Sequence, residues 1–268
     1  MDGAPPDDPA FAAMAPLLLA PATAAILTDF DGTLSPIVAE PEEARALPGA
    51  PGVLAHLAEH FAVVAVVSGR PVAFLARHLS GAGPAVRLFG VYGLEWMERG
   101  EVRVVPEAEP WLAPAADVVA AALRDAPPGV GVEAKGPALA IHWRRAPQAG
   151  AWALAFAEDW ARRTGLLVQS GRRALELRPP LAIDKGRVVE TVAGGCSAAC
   201  FVGDDAGDLP AFAALDRLAR RGLDVVRVAV ADEESPDALV TAADIVVAGP
   251  ADALALLDRL AAAAGGGR

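Results

Sequence analysis

The chain has 268 residues, 54% of them hydrophobic, enough for a large domain with a sizeable core or for a core carrying a smaller insertion. Its 23 Lys and Arg against 34 Asp and Glu give a net charge of −11, with no basic block to neutralise a nucleic-acid backbone. The acidity leaves a phosphorylated small molecule open, because a bound divalent cation reverses the local sign of the field.

Residues 1–22 carry Asp2, Asp7, Asp8 and repeated prolines, and this N-terminal segment is expected to be flexible. It lacks the basic start and unbroken apolar stretch of a secretory signal. Ala24 to Thr28 reads as a buried strand, Pro51 to His60 as a helix and Phe61 to Val67 as a second strand. Pro71 to Leu79 reads as a helix with proline at a favoured first-turn position, and Val86 to Gly90 as a third strand. Near-continuous apolar strands separated by helices indicate a parallel sheet covered on both faces. The longest strongly apolar run, Phe61 to Val67, is far too short to span a bilayer, so no membrane is expected and the protein should be soluble and cytoplasmic.

The pattern then changes. Met97 to Val104 looks like a hairpin turning at Arg99-Gly100. Helices are expected at Pro114 to Arg124 and Gln148 to Thr164. Strand pairs are expected at Val130 to Ala134 with Leu139 to Trp143, and at Leu166 to Gln169 with Ala174 to Leu177. Their turns, Lys135-Gly136-Pro137 and Ser170-Gly171-Arg172, suit hairpins. The alternation of helix and strand resumes with a helix from Lys185 to Ala193, a strand from Ala199 to Val202 and a helix from Leu209 to Arg220. Strands at Val225 to Val230 and Asp244 to Val247 and a helix at Asp252 to Ala263 follow, and the tail Gly265-Gly266-Gly267 is expected to be loose. The expected organisation is a core of residues 23–104 and 181–264, with an inserted α+β unit at 105–180. Cys196 and Cys200 read as core filling, and His56, His60 and His78 as surface or packing residues.

The strongest chemical signal is Asp29-Phe30-Asp31-Gly32-Thr33-Leu34, directly after the first strand. In open α/β sheets ligands sit at the carboxyl ends of strands. There one carboxylate can attack phosphorus, while a second protonates the departing oxygen and then deprotonates water. Ser68-Gly69-Arg70 places a hydroxyl at the same edge, although such a segment taken alone is more often a helix cap than a ligand contact. Lys185 opens a helix, where its charge opposes the dipole, so an anionic partner is expected. Phe201-Val202-Gly203-Asp204-Asp205, with Asp208 beyond, stacks carboxylates that repel one another unless a hard cation binds them.

These four segments, in this order, resemble the motifs of the haloacid-dehalogenase superfamily. The resemblance implies an α/β fold: a doubly wound parallel-sheet core with an inserted αββαββ cap. It implies that Asp29 is the nucleophile and Asp31 the general acid and base, with Ser68 and Lys185 holding the transferring phosphoryl. It implies Mg2+ as cofactor, bound by Asp29, the backbone carbonyl of Asp31 and Asp204, with Asp205 and Asp208 close behind. Asp31 favours phosphatase or phosphotransferase chemistry over dehalogenation.

A finer resemblance is to the trehalose-6-phosphate phosphatase family. It rests on Ser68-Gly69-Arg70, Gly90-Val91-Tyr92-Gly93-Leu94-Glu95, Glu133-Ala134-Lys135, His142-Trp143-Arg144, Glu176-Leu177-Arg178-Pro179 and Asp184-Lys185-Gly186. Two positions depart from the family pattern: Tyr92 stands where it usually has His, and Leu209 where it usually has an acid. The resemblance implies Arg70, Glu95, Glu133, Lys135, His142, Arg144 and Glu176 as substrate-binding residues. It also implies a small sugar-phosphate substrate and a functional link to a trehalose-phosphate synthase. Sugar hydroxyls need paired donors and acceptors, which the cap hairpins carry; a solvated sheet face with cross-strand ion pairs explains the same residues equally well. Phosphatases for sucrose phosphate or mannosylglycerate phosphate, a phosphomutase, and a catalytically silent partner of a sugar synthase are the rival readings.

Overall fold

The computed structural model describes residues 9–38, 41–171, 173–232 and 235–266. In chain order the main elements begin with α1 (Pro9–Ala12), α2 (Ala15–Leu19), β1 (Ala24–Thr28), α3 (Ala50–His60), β2 (Val63–Val67), α4 (Val72–His78) and β3 (Val86–Gly90). Next come β4 (Glu95–Glu98), β5 (Glu101–Val104), α5 (Leu112–Asp125), β6 (Gly131–Lys135), β7 (Ala138–His142), α6 (Gly150–Thr164), β8 (Leu167–Gly171) and β9 (Ala174–Arg178). The chain continues with α7 (Lys185–Ala193), β10 (Ala198–Gly203), α8 (Leu209–Ala219), β11 (Asp224–Ala231), α9 (Asp237–Ala242), β12 (Ile245–Ala248) and α10 (Gly249–Gly266). Two compact units result: Met1–Glu101 with Ile183–Arg268, and Val102–Ala182.

The first unit is built on an eight-stranded sheet in the order β12-β11-β10-β1-β2-β3-β4-β5. The six strands from β12 to β3 are parallel, and β4 joins β3 antiparallel. Every residue of β1, β2 and β10 is buried, because helices cover both faces. Strand alternation sorts the side chains. Ile26, Val64, Val66, Cys200 and Val202 pack with Leu54, Leu57, Leu257 and Leu260 of α3 and α10. Leu27, Ala65, Val67 and Phe201 pack with Val188, Val189, Phe212 and Leu215 of α7 and α8. Each fully buried large apolar side chain contributes about 1.5–3 kcal/mol.

The second unit is the cap, a four-stranded antiparallel sheet in the order β6-β7-β9-β8. Leu139, Ile141, Leu175 and Leu177 point to one face, where Ala115, Val118 and Ala122 of α5 and Ala153 and Ala157 of α6 cover them. The intervening residues therefore share the opposite face. Glu133 stands opposite Ala140, Ala140 opposite Glu176, and Glu176 opposite Gln169, forming one row across four strands with polar side chains on three of them.

Three expectations are corrected and one helix is added. Within residues 1–22, α1 and α2 form and Met14 and Leu17 are fully buried; the three-residue spacing of these two side chains lets a short helix seat both. Residues 1–8 lie outside the described part. The last helix begins at Gly249 and runs through Gly265 and Gly266, while Gly267 lies outside the described residues. The second cap turn falls after β8, which extends to Gly171; Arg173 there has φ +54°, and Arg172 lies outside the described residues. Helix α9, between β11 and β12, was not anticipated. Among the described residues no helix is long and apolar enough to cross a membrane.

Candidate active site

β1 and β10 are neighbours from which the chain winds in opposite directions, to β2 and β3 on one side and to β11 and β12 on the other. The crevice at the carboxyl ends of such a pair is where open α/β sheets bind ligands. Thr28, the last residue of β1, stands beside Val202 of β10, and the Asp29 amide donates to the Val202 carbonyl at 2.8 Å. Asp29 and Asp204, each the first residue past its strand, are thereby brought to one edge. Gly32 makes this approach feasible: its φ is +72°, and a Cβ there would overlap the Asp204 carboxylate.

Lys185 at the start of α7 is 2% exposed. Its Nζ lies 2.9 Å from Asp29 Oδ1 and 2.6 Å from Asp208 Oδ1. The other Asp208 oxygen accepts the backbone N–H groups of Asp204 (2.9 Å) and Asp205 (3.2 Å). Asp208 thus ties the lysine to the loop after β10, and a Cβ on Gly203 would strike its carboxylate. One oxygen each of Asp29, Asp204 and Asp208 lies within 4.8 Å of the others. Both Asp208 oxygens are already engaged, so Asp29 and Asp204 have the coordination capacity to spare. Asp29 Oδ1 is buried and makes no directed hydrogen bond; Lys185 reaches it through charge alone.

The electrostatics follow from burial. Burial pushes the Asp29 carboxyl well above its ordinary range, with Lys185 opposing and Asp208, Asp204 and Asp205 reinforcing the shift. Burial, aided by Asp208 and Asp205 and opposed by Lys185 and Thr33, raises Asp204 to about 8. For Lys185 burial works downward, but Asp208, Asp29 and Asp205 outweigh it and hold the ammonium well above its usual range. Negative charge is in excess, which a hard divalent cation would offset. Oxygen donors, an unbonded buried oxygen and this charge excess together fit such an ion.

The remaining candidates divide. Asp31 is gripped by Arg70, with Nε to Oδ2 and Nη2 to Oδ1 both at 2.7 Å. Ser68 is 1% exposed and its Oγ accepts the Arg70 N–H at 3.2 Å. Asp205 is exposed and accepts the Gly207 N–H at 2.8 Å, capping its own turn rather than joining the carboxylate group, because that N–H lies only two residues away. Glu95, expected to bind substrate, is 4% exposed, and its Oε2 accepts the Val72 N–H at 3.0 Å, a bond that holds the start of α4. Burial raises its carboxyl, and the Val72 bond works against that shift. Thr33, not singled out from the sequence, donates to Asp204 Oδ1 at 3.2 Å.

On the cap's polar face Lys135 is buried, its Nζ 2.5 Å from Glu176 Oε1 and 3.9 Å from Glu133 Oε2. His142 Nε2 lies 3.4 Å from the same Glu133 oxygen. Arg144 is exposed on the turn after β7. Gln169, which accepts from Arg178 at 3.2 Å, completes the row and was missed; strand register across β8 and β9 was the signal that pointed to it.

Comparison with known proteins fits this geometry. The trehalose-phosphatase family model matches residues 27–243. The trehalose-phosphate phosphatase of Mycolicibacterium paratuberculosis is 34% identical over 249 residues, covering 88% of this chain and 62% of that protein. The chain therefore spans less than two thirds of that relative's length. The Aspergillus fumigatus trehalose-6-phosphate phosphatase structure is 26% identical with a TM-score of 0.62, covering 97% of this chain and 99% of that one. In fold, the structure of a trehalose-6-phosphate phosphatase related protein also matches, at 24% identity and a TM-score of 0.73, covering 89% of this chain and 97% of that one. With both the strand-end carboxylates and the cap sheet inside the matched span, this chain belongs to the trehalose-phosphatase family.

Proposed function

We propose that this chain hydrolyses trehalose 6-phosphate to trehalose and phosphate through an aspartyl-phosphate on Asp29. The observation that carries the reading is the buried Asp29 carboxylate 2.9 Å from Lys185 Nζ, at the switch point of the sheet. Asp29, Asp204 and the main-chain carbonyl of Asp31 would hold Mg2+, with Asp208 positioning Lys185 and the Asp204 loop. Bound there, the ion supplies Lewis-acid stabilisation of charge on the transferring phosphoryl group.

Asp29 forms a bond to phosphorus as the bond from phosphorus to the sugar oxygen breaks. Protonated Asp31 gives its proton to that oxygen, which departs as a hydroxyl. Water then attacks phosphorus, Asp31 takes a proton from it, and the bond to Asp29 breaks to release phosphate. Lys185 and Ser68 hold the phosphoryl oxygens. Glu133, Lys135, His142, Arg144 and Glu176 supply the sugar-hydroxyl contacts.

The names of relatives at about one third identity support trehalose 6-phosphate as the substrate. In a cytoplasmic setting the reaction consumes the product of a trehalose-phosphate synthase. The test is phosphate release from a panel of trehalose, sucrose and mannosylglycerate phosphates, with Mg2+ and with excess chelator. Preference for another sugar phosphate would overturn the substrate; full activity in chelator would overturn the metal.

A further inference from the structure

A second group of metal-ligating side chains lies away from the carboxylate cluster. His56, Glu59 and His60 sit on one face of α3 at its C-terminal end, spaced three and four residues apart. The two imidazole rings have centroids 5.3 Å apart, and one ligand atom from each of the three residues lies within 4.8 Å of the others. The opposite face of α3 carries Leu54 and Leu57, fully buried in the core, so the helix is anchored and its ligand face is held toward solvent. Glu59 is exposed and both histidines are half-buried.

Two further features favour a cation there. His60 ends α3, where the last carbonyls leave partial negative charge. Gly265 of α10 faces the ring: a Cβ at that position would sit 3.0 Å from His60 Nε2, so glycine spares this nitrogen a side-chain contact.

We infer that His56, Glu59 and His60 bind one borderline divalent transition-metal ion, Zn2+ being the representative case. Two imidazole nitrogens and one carboxylate oxygen suit Zn2+, Ni2+ or Co2+, whereas the all-oxygen cluster at Asp29 suits Mg2+. The two sites are also separated in space. α3 ends just before β2 begins, at the amino edge of the parallel sheet, while Asp29 follows β1 at the carboxyl edge. A five-residue strand places those edges roughly 17 Å apart. Binding at i and i+4 clamps the last turn of α3, so its effect is on stability, and the phosphatase chemistry proceeds without it.

The test titrates Zn2+ into the untagged chain in saturating Mg2+, by calorimetry and thermal unfolding. One equivalent should bind, and at a hundredfold excess over Kd the Tm should rise by roughly 5–10 °C. The His56→Gln/His60→Gln variant should lose both the binding and the shift while keeping its phosphatase activity, and Asp204→Asn should keep both. Replacing Zn2+ by Co2+ should give a visible ligand-field spectrum in the wild type that the double variant lacks. Should the double variant fail to fold, His60→Gln alone must weaken binding at least tenfold. No saturable binding by the wild type, or an equal Tm shift in the histidine variants, overturns the site.

Discussion

Arg70 holds Asp31 by both carboxylate oxygens, each at 2.7 Å, while its guanidinium lies 4.7 Å from the centre of the Phe74 ring. A residue expected to contact substrate and the residue expected to move protons are thus one fork-to-fork pair. Such a pair fixes geometry as well as charge. It also holds Asp31 as an acceptor, so proton donation requires at least one arm to let go.

Leaving-group dependence tests that relationship. Asp31→Asn should lower kcat for trehalose 6-phosphate by about 10²–10⁴-fold. The loss should be much smaller for an aryl phosphate, whose leaving group needs no proton. Equal losses on both substrates would remove Asp31 from the acid role. Arg70→Ala, measured on the same pair, should raise KM for both if Arg70 also grips the phosphate.

Asp29 and Lys185 should behave oppositely in stability although both are needed for turnover. Asp29→Asn should abolish activity, a loss on the order of 10³-fold or more. Because it puts a neutral amide where burial already disfavours the charged carboxylate, its Tm should equal or exceed the wild type's. Lys185→Ala leaves Asp29 and Asp208 buried without their cation and should destabilise by about 3–5 kcal/mol. Denaturant unfolding of the two variants side by side decides this; a Lys185→Ala protein as stable as wild type would refute the charge argument.

The raised carboxyls at Asp29 and Asp204 make metal-free stability depend on pH. Between their ordinary range near 4 and the raised values, about 8 for Asp204, the folded state holds protons that the unfolded state has released. Stability in chelator should therefore fall as pH rises through that window. A bound cation favours the ionised acids, so the Tm gain from Mg2+ should be larger at pH 8 than at pH 5. Thermal scans across pH, with and without Mg2+, read this directly; a gain that shrinks with pH would contradict it.

Gly32→Ala combines two penalties. The φ of +72° is unfavourable for a residue with Cβ, by about 1 kcal/mol, and the new methyl displaces the Asp204 carboxylate. The variant should fold with a modestly lower Tm yet lose most of its turnover and need more Mg2+ for half-maximal rate. Retained Mg2+ affinity and kcat would show that Asp204 has room to move.

Glu176→Gln and Lys135→Ala should cut kcat/KM for trehalose 6-phosphate strongly, each lost charge-assisted bond being worth roughly 1.5–3 kcal/mol. Hydrolysis of a small aryl phosphate should be almost unchanged. Because Lys135 and Glu176 are also each other's partners at 2.5 Å, the double variant should cost less than the sum of the two single losses. Parallel loss of both activities would instead mark these residues as structural.

Local pattern was enough to locate β1, β3 and α7, whose limits coincide with the sequence expectation, because short apolar runs bounded by turn residues and helix capping leave signatures within a few residues. It was also enough to find the acids that directly follow β1 and β10, since they stand in adjacent residues of the sequence. Local pattern alone places Met14 and Leu17 in a loose segment, because two helices as short as α1 and α2 have little propensity of their own. What local pattern did not contain is which distant groups meet. Arg70 reaches Asp31 across 39 positions, and Glu95 reaches the Val72 amide across 23. The sheet order, with β1 between β10 and β2, sets those meetings, and once a buried polar group has a partner available the cost of leaving it unpaired decides the pairing. The tertiary fold therefore ties Glu95 to the start of α4 and makes Asp208 the link between Lys185 and the Asp204 loop.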